Sequence, residues 1–176
     1  MSDTPRSAGA SASAPAEAPT SGRSALARGS GPADEPAPAP ADQKPRRQGP
    51  LDGVTGFMGM RWEDPQTVRL QIRPELINAG GLLSGVVTYA LVDYCMGSAL
   101  WVHTTEREHI ATISISINYI QTATQGEIVC STTLDRRNRH TAVLSSEVRH
   151  EDGRLMVTAI GSYSIFAPRA SVPQTD

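Results

Sequence analysis

The segment that most constrains the fold is residues 82–101, which are apolar on nearly every face. They are rich in Leu, Val, Ala and Met, contain no proline, and carry one mid-segment charge, at Asp93. A helix that is apolar all round is expected to be buried, because none of its faces suits water. Ser84 stands where an N-cap is needed, and Gly97 falls near the end of this helix. The rest of the chain therefore has to supply a surface that covers the helix.

Alternating apolar and polar residues on both sides of this segment predict β-strands. In residues 67–73 every second side chain is apolar, which is the pattern of a half-buried antiparallel strand. In residues 110–119 the same alternation places four side chains on one face: Ile113, Ile115, Ile117 and Tyr119. The prediction is two strands, the helix and a four-stranded meander, over residues 57–62, 67–73, 82–101, 110–119, 127–135, 141–150 and 154–166.

A meander of antiparallel strands has one apolar face to cover, and the central helix is the apolar body that can cover it. The simplest arrangement is an α+β fold in which a curved antiparallel sheet wraps around one long buried helix. Such a sheet leaves edge strands, which commonly pair between subunits. We therefore expect a homodimer, or a dimer of such dimers.

The composition changes along the chain of 176 residues. Residues 1–50 contain no aromatic residue, valine or isoleucine and are dominated by Ala, Pro, Ser and Gly. They cannot bury enough apolar surface to offset the entropy lost on ordering, so we expect a disordered leader. The domain is expected over residues 51–168, followed by a flexible tail at 169–176.

Charge and cysteine content argue against several classes of protein. The formal net charge is −2 and no basic face is evident, which disfavours nucleic-acid binding. The two cysteines lack CxxC spacing and no His, Cys or Asp spacing suggests a metal, so we expect no metal site and no cofactor. No segment has the length and apolarity of a membrane span, and the first residues lack an apolar signal-peptide core. These features favour a cytoplasmic protein that does not bind membranes.

Asp93 is the only Asp, Glu, Lys, Arg or His between Glu75 and His103. Burying a lone carboxylate is costly unless a partner stabilises it, and a helix this apolar has no structural need for one. Carboxylates in such surroundings often serve chemistry. The alternative is that Asp93 lies on a narrow exposed stripe of the helix or at a subunit interface.

The segment before the helix, residues 78–85 (NAGGLLSG), combines an amide side chain, glycines and a helix start. Glycines allow a backbone to approach a ligand closely, and the free N–H groups at a helix N-terminus can stabilise an oxyanion. A carboxylate and an oxyanion hole are what acyl transfer requires. The alternative is an ordinary glycine-rich loop with a serine cap.

Three segments resemble the hotdog-fold acyl-CoA thioesterases, the superfamily of the phenylacetic-acid-degradation and four-hydroxybenzoyl-CoA thioesterases. Residues 78–93 (NAGGLLSGVVTYALVD) are similar to the family's N…G…LHGG…LAD signature. Residues 116–120 (SINYI) are similar to its (V/L)NI-Y strand, and residues 152–159 (DGRLMVTA) to its final DG(R/K)LVA hairpin. The resemblance implies a hotdog fold and hydrolysis of an acyl-CoA thioester to the free acid and CoA.

The resemblance also implies a role for each matching residue. Asp93 corresponds to the helix acid that serves as nucleophile or general base. Gly85 corresponds to the glycine whose backbone N–H points at the thioester carbonyl oxygen. Asn78 matches a polar residue that orients the water or the carbonyl, and Thr112 falls where some members position the water. In this family the loop and helix start of one subunit face the helix acid of the other.

The chain departs from the family where it has Ser84-Gly85-Val86 in place of His-Gly-Gly. Ser84 and Val86 are still expected to contact substrate, but a serine cannot act as a base as histidine can. A second hypothesis is therefore an accessory protein that binds acyl-CoA without turnover. A hotdog hydratase or dehydratase is less favoured, because those enzymes use a histidine and residues 51–102 contain none.

A basic cluster lies in the predicted hairpin turn at residues 136–139. Arg136, Arg137 and Arg139 are either a solvated turn or a docking site for the phosphates of CoA. Guanidinium groups suit the second role, because they bind phosphate through paired N–H donors.

Overall fold

The structure is a computed structural model that describes residues 51–167. In chain order it contains α1 (Gly53–Met58), β1 (Met60–Asp64), β2 (Thr67–Gln71), a 3₁₀ turn (Pro74–Leu76), α2 (Gly85–Trp101), β3 (His109–Tyr119), β4 (Glu127–Arg137), β5 (Thr141–His150) and β6 (Leu155–Phe166). The leader predicted at residues 1–50 and the tail predicted at 169–176 lie outside the described residues. Within the described part of the chain, no helix is long and apolar enough to cross a membrane.

The six strands form one antiparallel sheet in the order β1-β2-β4-β5-β6-β3. Helix α2 packs on this sheet and contacts β2 to β6, which confirms the predicted α+β architecture. Only β4, β5 and β6 form a meander, so the prediction of a four-stranded meander is wrong for β3. That strand pairs with β6 at the far edge, whereas β4 pairs with β2 and β5. Short turns join β4 to β5 and β5 to β6, but the connection at residues 120–126 is longer and does not force β3 and β4 to pair.

A β-bulge in β3 changes which side chains face the helix. The register with β6 shifts between Thr112 and Ser114, which leaves Ile113 without a partner residue opposite it. Thr112 therefore faces α2, while Ile113 is 59% exposed. The predicted grouping of Ile113 with Ile115 and Ile117 is wrong, because an extra residue in a strand reverses the alternation beyond it.

Helix α2 is buried on one side only. Its inner side joins the core through Val87, Thr88, Leu91, Val92, Cys95, Met96, Ala99 and Leu100. On the other side, Val86 is 74% exposed and Tyr89 is 37% exposed. The expectation of a helix buried on every face is therefore wrong for the single chain, because one sheet can cover only one side of a helix. An apolar helix face is left open.

Gly161 in β6 lies directly against the side chain of Met96 from α2. A Cβ atom at this position would lie 2.6 Å from Met96 Sδ and 3.2 Å from Ile115 Cγ1. Glycine therefore leaves the space that the Met96 side chain occupies. This contact sets the height of α2 above β6, and with it the reach of β6 side chains towards the helix.

Candidate active site

The carboxylate of Asp93 is held by two hydroxyl groups. Asp93 is half-buried in the middle of α2. Its Oδ1 accepts a hydrogen bond of 2.8 Å from the Thr112 hydroxyl and one of 2.6 Å from the Tyr163 hydroxyl. Within residues 51–167, no group hydrogen-bonds to Oδ2. One carboxylate oxygen is thus fixed, and the other is free to contact a reactant.

The pairing of β3 with β6 explains this arrangement. Thr112 and Tyr163 are direct partners in the ladder, and the bulge after Thr112 turns its side chain towards the helix. Tyr163 is only 2% exposed, and a buried tyrosine hydroxyl needs a hydrogen-bond partner. Burial and the hydrogen bond to Asp93 raise the pKa of Tyr163 well above its usual value. The Tyr163 hydroxyl therefore stays protonated and acts as a donor.

Gly85 is the first residue of α2, and no acceptor for its N–H lies within residues 51–167. Helix starts leave such N–H groups free. Tyr119 of β3 lies against Gly85: its hydroxyl donates to the Gly85 carbonyl oxygen at 2.9 Å. Ser84 occupies the N-cap position as predicted, but its side chain makes no capping hydrogen bond. The helix start therefore presents a backbone N–H that a substrate oxygen can accept.

Asn78 shapes the loop that leads to Gly85. Its Oδ1 accepts the N–H of Gly80 at 2.8 Å and that of Leu82 at 3.3 Å. The side-chain oxygen is therefore used within the loop, and the NH₂ group is the part that can reach a ligand. Asn78 and Gly85 line one open groove of about 430 Å³, whose lining carries no charged side chain; it also includes Leu82, Tyr119, Ile120, Gln121 and Met156.

The structure brings the predicted catalytic residues together in two pairs. Thr112 contacts Asp93, and Asn78 shares a groove with Gly85. The two pairs are separated within one chain, because Asp93 lies eight positions after Gly85 in α2. At a rise of 1.5 Å per residue, that spacing is about 12 Å along the helix axis. A single carbonyl group cannot contact both the carboxylate and the N–H of the same chain.

The predicted substrate-binding residues occupy two regions. Ser84 and Val86 lie at the start of α2, beside the groove, and Val86 is largely exposed. Arg137 lies elsewhere, at the end of β4, where it pairs with Glu108 at 2.9 Å and donates to the His103 carbonyl oxygen at 2.9 Å. Arg137 therefore holds the chain that follows α2.

The hairpin between β4 and β5 begins later than predicted, because β4 continues to Arg137. Arg136 donates to the side chain of Asn138 at 3.1 Å, and both Arg136 and Arg139 are exposed. These two arginines remain open to an anion at the surface. Burial raises the pKa of Glu108, the ion-pair partner of Arg137. The Thr105 N–H and the Arg137 charge lower this pKa by more, so it lies below its usual value.

Tyr94 follows Asp93 in the sequence but has a different partner. Its hydroxyl donates to the carboxylate of Asp52 at 2.6 Å, and Asp52 caps helix α1. The hydrogen bond to Asp52, and to a smaller extent burial, raise the pKa of Tyr94 to about 12. Elsewhere in the described part of the chain, no three His, Cys, Asp or Glu side chains are grouped so that they could hold a metal ion.

Tyr163 and Tyr119 are the site residues that sequence reasoning missed. The alternation of residues 154–166 already places Tyr163 on the core face, and a tyrosine among apolar residues signals a hydroxyl that needs a partner. The identity of that partner depends on how α2 lies across β6, which no local pattern encodes. Tyr119 lies in the SINYI segment that resembles the family strand, but that segment assigns it no role.

The sequence profile of the thioesterase superfamily matches residues 80–157, from the loop before α2 into β6. No curated protein matches the chain. Among solved structures, a thioesterase of Haemophilus influenzae is 15% identical, covers 69% of this chain and 87% of its own, and has a TM-score of 0.64.

Two further structures are similar. A conserved protein of Pseudomonas aeruginosa is 25% identical, with 66% of this chain and 96% of its own covered and a TM-score of 0.60. A Bacillus halodurans protein, solved with CoA, is 18% identical, with 64% and 75% covered and a TM-score of 0.60. These likenesses confirm the predicted hotdog fold.

Proposed function

Because the sequence profile of the thioesterase superfamily matches residues 80–157 of this chain, we propose that it hydrolyses an acyl-CoA thioester at a site shared by two copies of the chain. The observation that carries the proposal is the Asp93 carboxylate, which is held through Oδ1 while Oδ2 has no partner among residues 51–167. A carboxylate in this state suits attack on a carbonyl carbon, or removal of a proton from water that attacks it.

The reaction would proceed by addition to the thioester carbonyl and loss of the thiol. Oδ2 of Asp93, or a water that it deprotonates, bonds to the carbonyl carbon. The carbonyl oxygen becomes an oxyanion, which the Gly85 N–H stabilises at the start of α2. The C–S bond then breaks, and CoA leaves as a thiolate that takes up a proton. If water attacked, the free acid is formed in this step. If Oδ2 attacked, the product is an anhydride of the acyl group with Asp93, which a water molecule hydrolyses to release the acid and restore the carboxylate. Asn78 would orient the carbonyl, and Thr112 would position the water.

The spacing along α2 supports a shared site. Gly85 and Asp93 of one chain are about 12 Å apart along the helix axis, which is too far for both to act on one carbonyl group. A second copy can supply the missing half. Two features of the single chain favour its docking: the open apolar face at Val86 and Tyr89, and β3, an edge strand of 11 residues. We propose a homodimer on these grounds.

The proposed substrate class has support from the ligand of one similar structure, since the Bacillus halodurans protein was solved with CoA. For the phosphates of CoA, Arg136 and Arg139 are the suitable groups in this chain, because both are exposed. Arg137 is less suitable, because its guanidinium is paired with Glu108. The uncharged groove beside Gly85 suits a neutral part of the substrate.

The proposal is tested by thiol release from a panel of acyl-CoA thioesters with the full chain. Asp93→Asn keeps the size of the side chain and removes its charge, so kcat should fall by roughly 10²–10⁴-fold. Asp135→Asn is the matched control, because Asp135 is exposed on β4 and also accepts a hydroxyl hydrogen bond, from Ser145 at 3.0 Å. Its activity should equal that of the wild type. Equal rates for wild type and Asp93→Asn would rule out the catalytic role.

A second candidate function is binding of acyl-CoA without turnover. It is favoured by one residue, Ser84, which stands where the family has a histidine. On this alternative the chain binds acyl-CoA in equilibrium dialysis, releases no thiol, and gains little from Ser84→His. A large increase in kcat for Ser84→His would instead identify a slow hydrolase.

A further inference from the structure

We propose that Tyr163 is a positioning residue, which holds Oδ1 of Asp93 so that Oδ2 is the oxygen that reacts. The inference rests on the proposed function and adds to it a residue that the family resemblance does not supply. It also assigns different roles to the two oxygens of the Asp93 carboxylate.

The contacts of Tyr163 involve two parts of the same helix residue. Its hydroxyl lies 2.6 Å from Oδ1 and 3.0 Å from the carbonyl oxygen of Asp93. A group anchored near both the main chain and the side chain of Asp93 restricts rotation about the bonds that join them. Thr112 donates to the same Oδ1 from the neighbouring strand, at 2.8 Å. Because both donors bind Oδ1, the orientation of the carboxylate is fixed, and with it the direction in which Oδ2 points.

A purely structural tyrosine would not need the carboxylate. The hydroxyl of Tyr163 could be satisfied by the Asp93 carbonyl oxygen alone, since a buried O–H requires one acceptor. The shorter of its two contacts is nevertheless to the charged group, and hydrogen bonds to a charge are the stronger kind. Tyr163 also keeps its proton, because burial raises its pKa, so it remains a donor whenever Asp93 is charged. Tyr94 is another titratable group that interacts with the Asp93 charge, and its hydroxyl is hydrogen-bonded to Asp52.

The kinetic test uses Tyr163→Phe in the full chain, which removes one hydroxyl and keeps the ring. We expect kcat for acyl-CoA hydrolysis to fall roughly 10- to 100-fold, as for loss of a hydrogen bond to a charged group, with little change in KM. The pH–rate profile of Tyr163→Phe should also differ from that of the wild type, because the Asp93 carboxylate loses one of its two donors. A merely structural role would leave that profile unchanged.

Tyr94→Phe is the matched control. It also removes a tyrosine hydroxyl that donates to a carboxylate, next to Asp93 in the sequence, but the carboxylate is that of Asp52. Its kcat and pH profile should match the wild type. The proposal is overturned if Tyr163→Phe keeps the wild-type kcat and pH profile, or if Tyr94→Phe changes them as much.

A measurement without substrate separates this inference from the proposed function. The ¹³C signal of the Asp93 carboxyl group, assigned by its loss in Asp93→Asn, should shift in Tyr163→Phe and stay in place in Tyr94→Phe. If Tyr163→Phe does not fold, the wild-type Tyr163 hydroxyl proton should be protected from exchange, and its signal should move upfield in Asp93→Asn, because a charged acceptor is replaced by a neutral one. An unshifted carboxyl signal, or a rapidly exchanging hydroxyl proton, refutes the positioning role. A shifted signal in a chain that hydrolyses no acyl-CoA refutes only the proposed function.

Discussion

Replacement of Gly161 by alanine should destabilise the domain, because the Met96 side chain of α2 packs directly against this glycine. The new Cβ would lie 2.6 Å from Met96 Sδ and 3.2 Å from Ile115 Cγ1. Unstrained carbon contacts are about 3.5–4.0 Å, so the neighbours must move. Met96 is fully buried, so its side chain cannot move into solvent without leaving the core. Overpacking of this kind costs about 1–3 kcal/mol, and the flexibility of methionine places the expectation in the lower half of that range.

Thermal or urea unfolding of the full chain measures the effect. A loss of 1 kcal/mol lowers the Tm of a domain of this size by roughly 4 °C or more. Gly53→Ala is the control, because a Cβ at that position meets nothing within 4 Å. In a Met96→Ala background, which removes the clashing sulfur, the cost of Gly161→Ala should largely disappear. The reasoning is refuted if Gly161→Ala is as stable as the wild type, or if its cost persists without the Met96 side chain.

Three further predictions concern separate parts of the site and its surroundings. Gly85→Pro removes the backbone N–H and should lower kcat by roughly 10²–10³-fold, whereas Gly85→Ala keeps the N–H and should have a smaller effect. The proline should not disturb the helix, because proline is tolerated at the first helical position and Ser84 already has the extended backbone that must precede a proline. Thr112→Val should lower kcat by about 10-fold in the same thiol-release assay without loss of stability in urea, because it removes one donor to Asp93 and keeps a β-branched side chain in the strand. The pKa of Glu108 is lowered in the folded chain, so its ionised carboxylate stabilises the fold at pH values above its ordinary pKa of 4.5. This contribution is lost as the pH falls through the lower pKa of the folded chain. Glu108→Gln should therefore show a flatter decline of unfolding free energy with acidification, and an identical decline would contradict the role of Arg137 as its partner.

The sequence predicted the main elements because their signals are local. The apolar run before Trp101 and the alternation in the strands each depend on neighbouring residues, and both elements form where expected. The order of the strands is not local. The position of β3 beside β6 depends on where α2 delivers the chain, and no pattern within residues 110–119 records that path.

The candidate site was predictable in part for the same reason. Asp93 stands out because it is one charge in an apolar segment, and Gly85 because it opens a helix. The contact of Thr112 with Asp93 requires a bulge at Ile113, and a single inserted residue leaves no mark on an otherwise regular alternation. Tyr163 meets Asp93 through the register of β6 under α2, which only the folded chain defines.

The shared site, with Asp93 of one copy and Gly85 of the other, is tested most directly by mixing two inactive variants. Asp93→Asn lacks the carboxylate, and Gly85→Pro lacks the N–H, so each homodimer should be inactive. After subunit exchange, half of the dimers are mixed, and each of these has one intact site out of two. Activity should therefore rise to about a quarter of the wild-type rate. If the mixture stays as inactive as the separate variants although mixed dimers have formed, both residues act within one chain and the shared site is wrong.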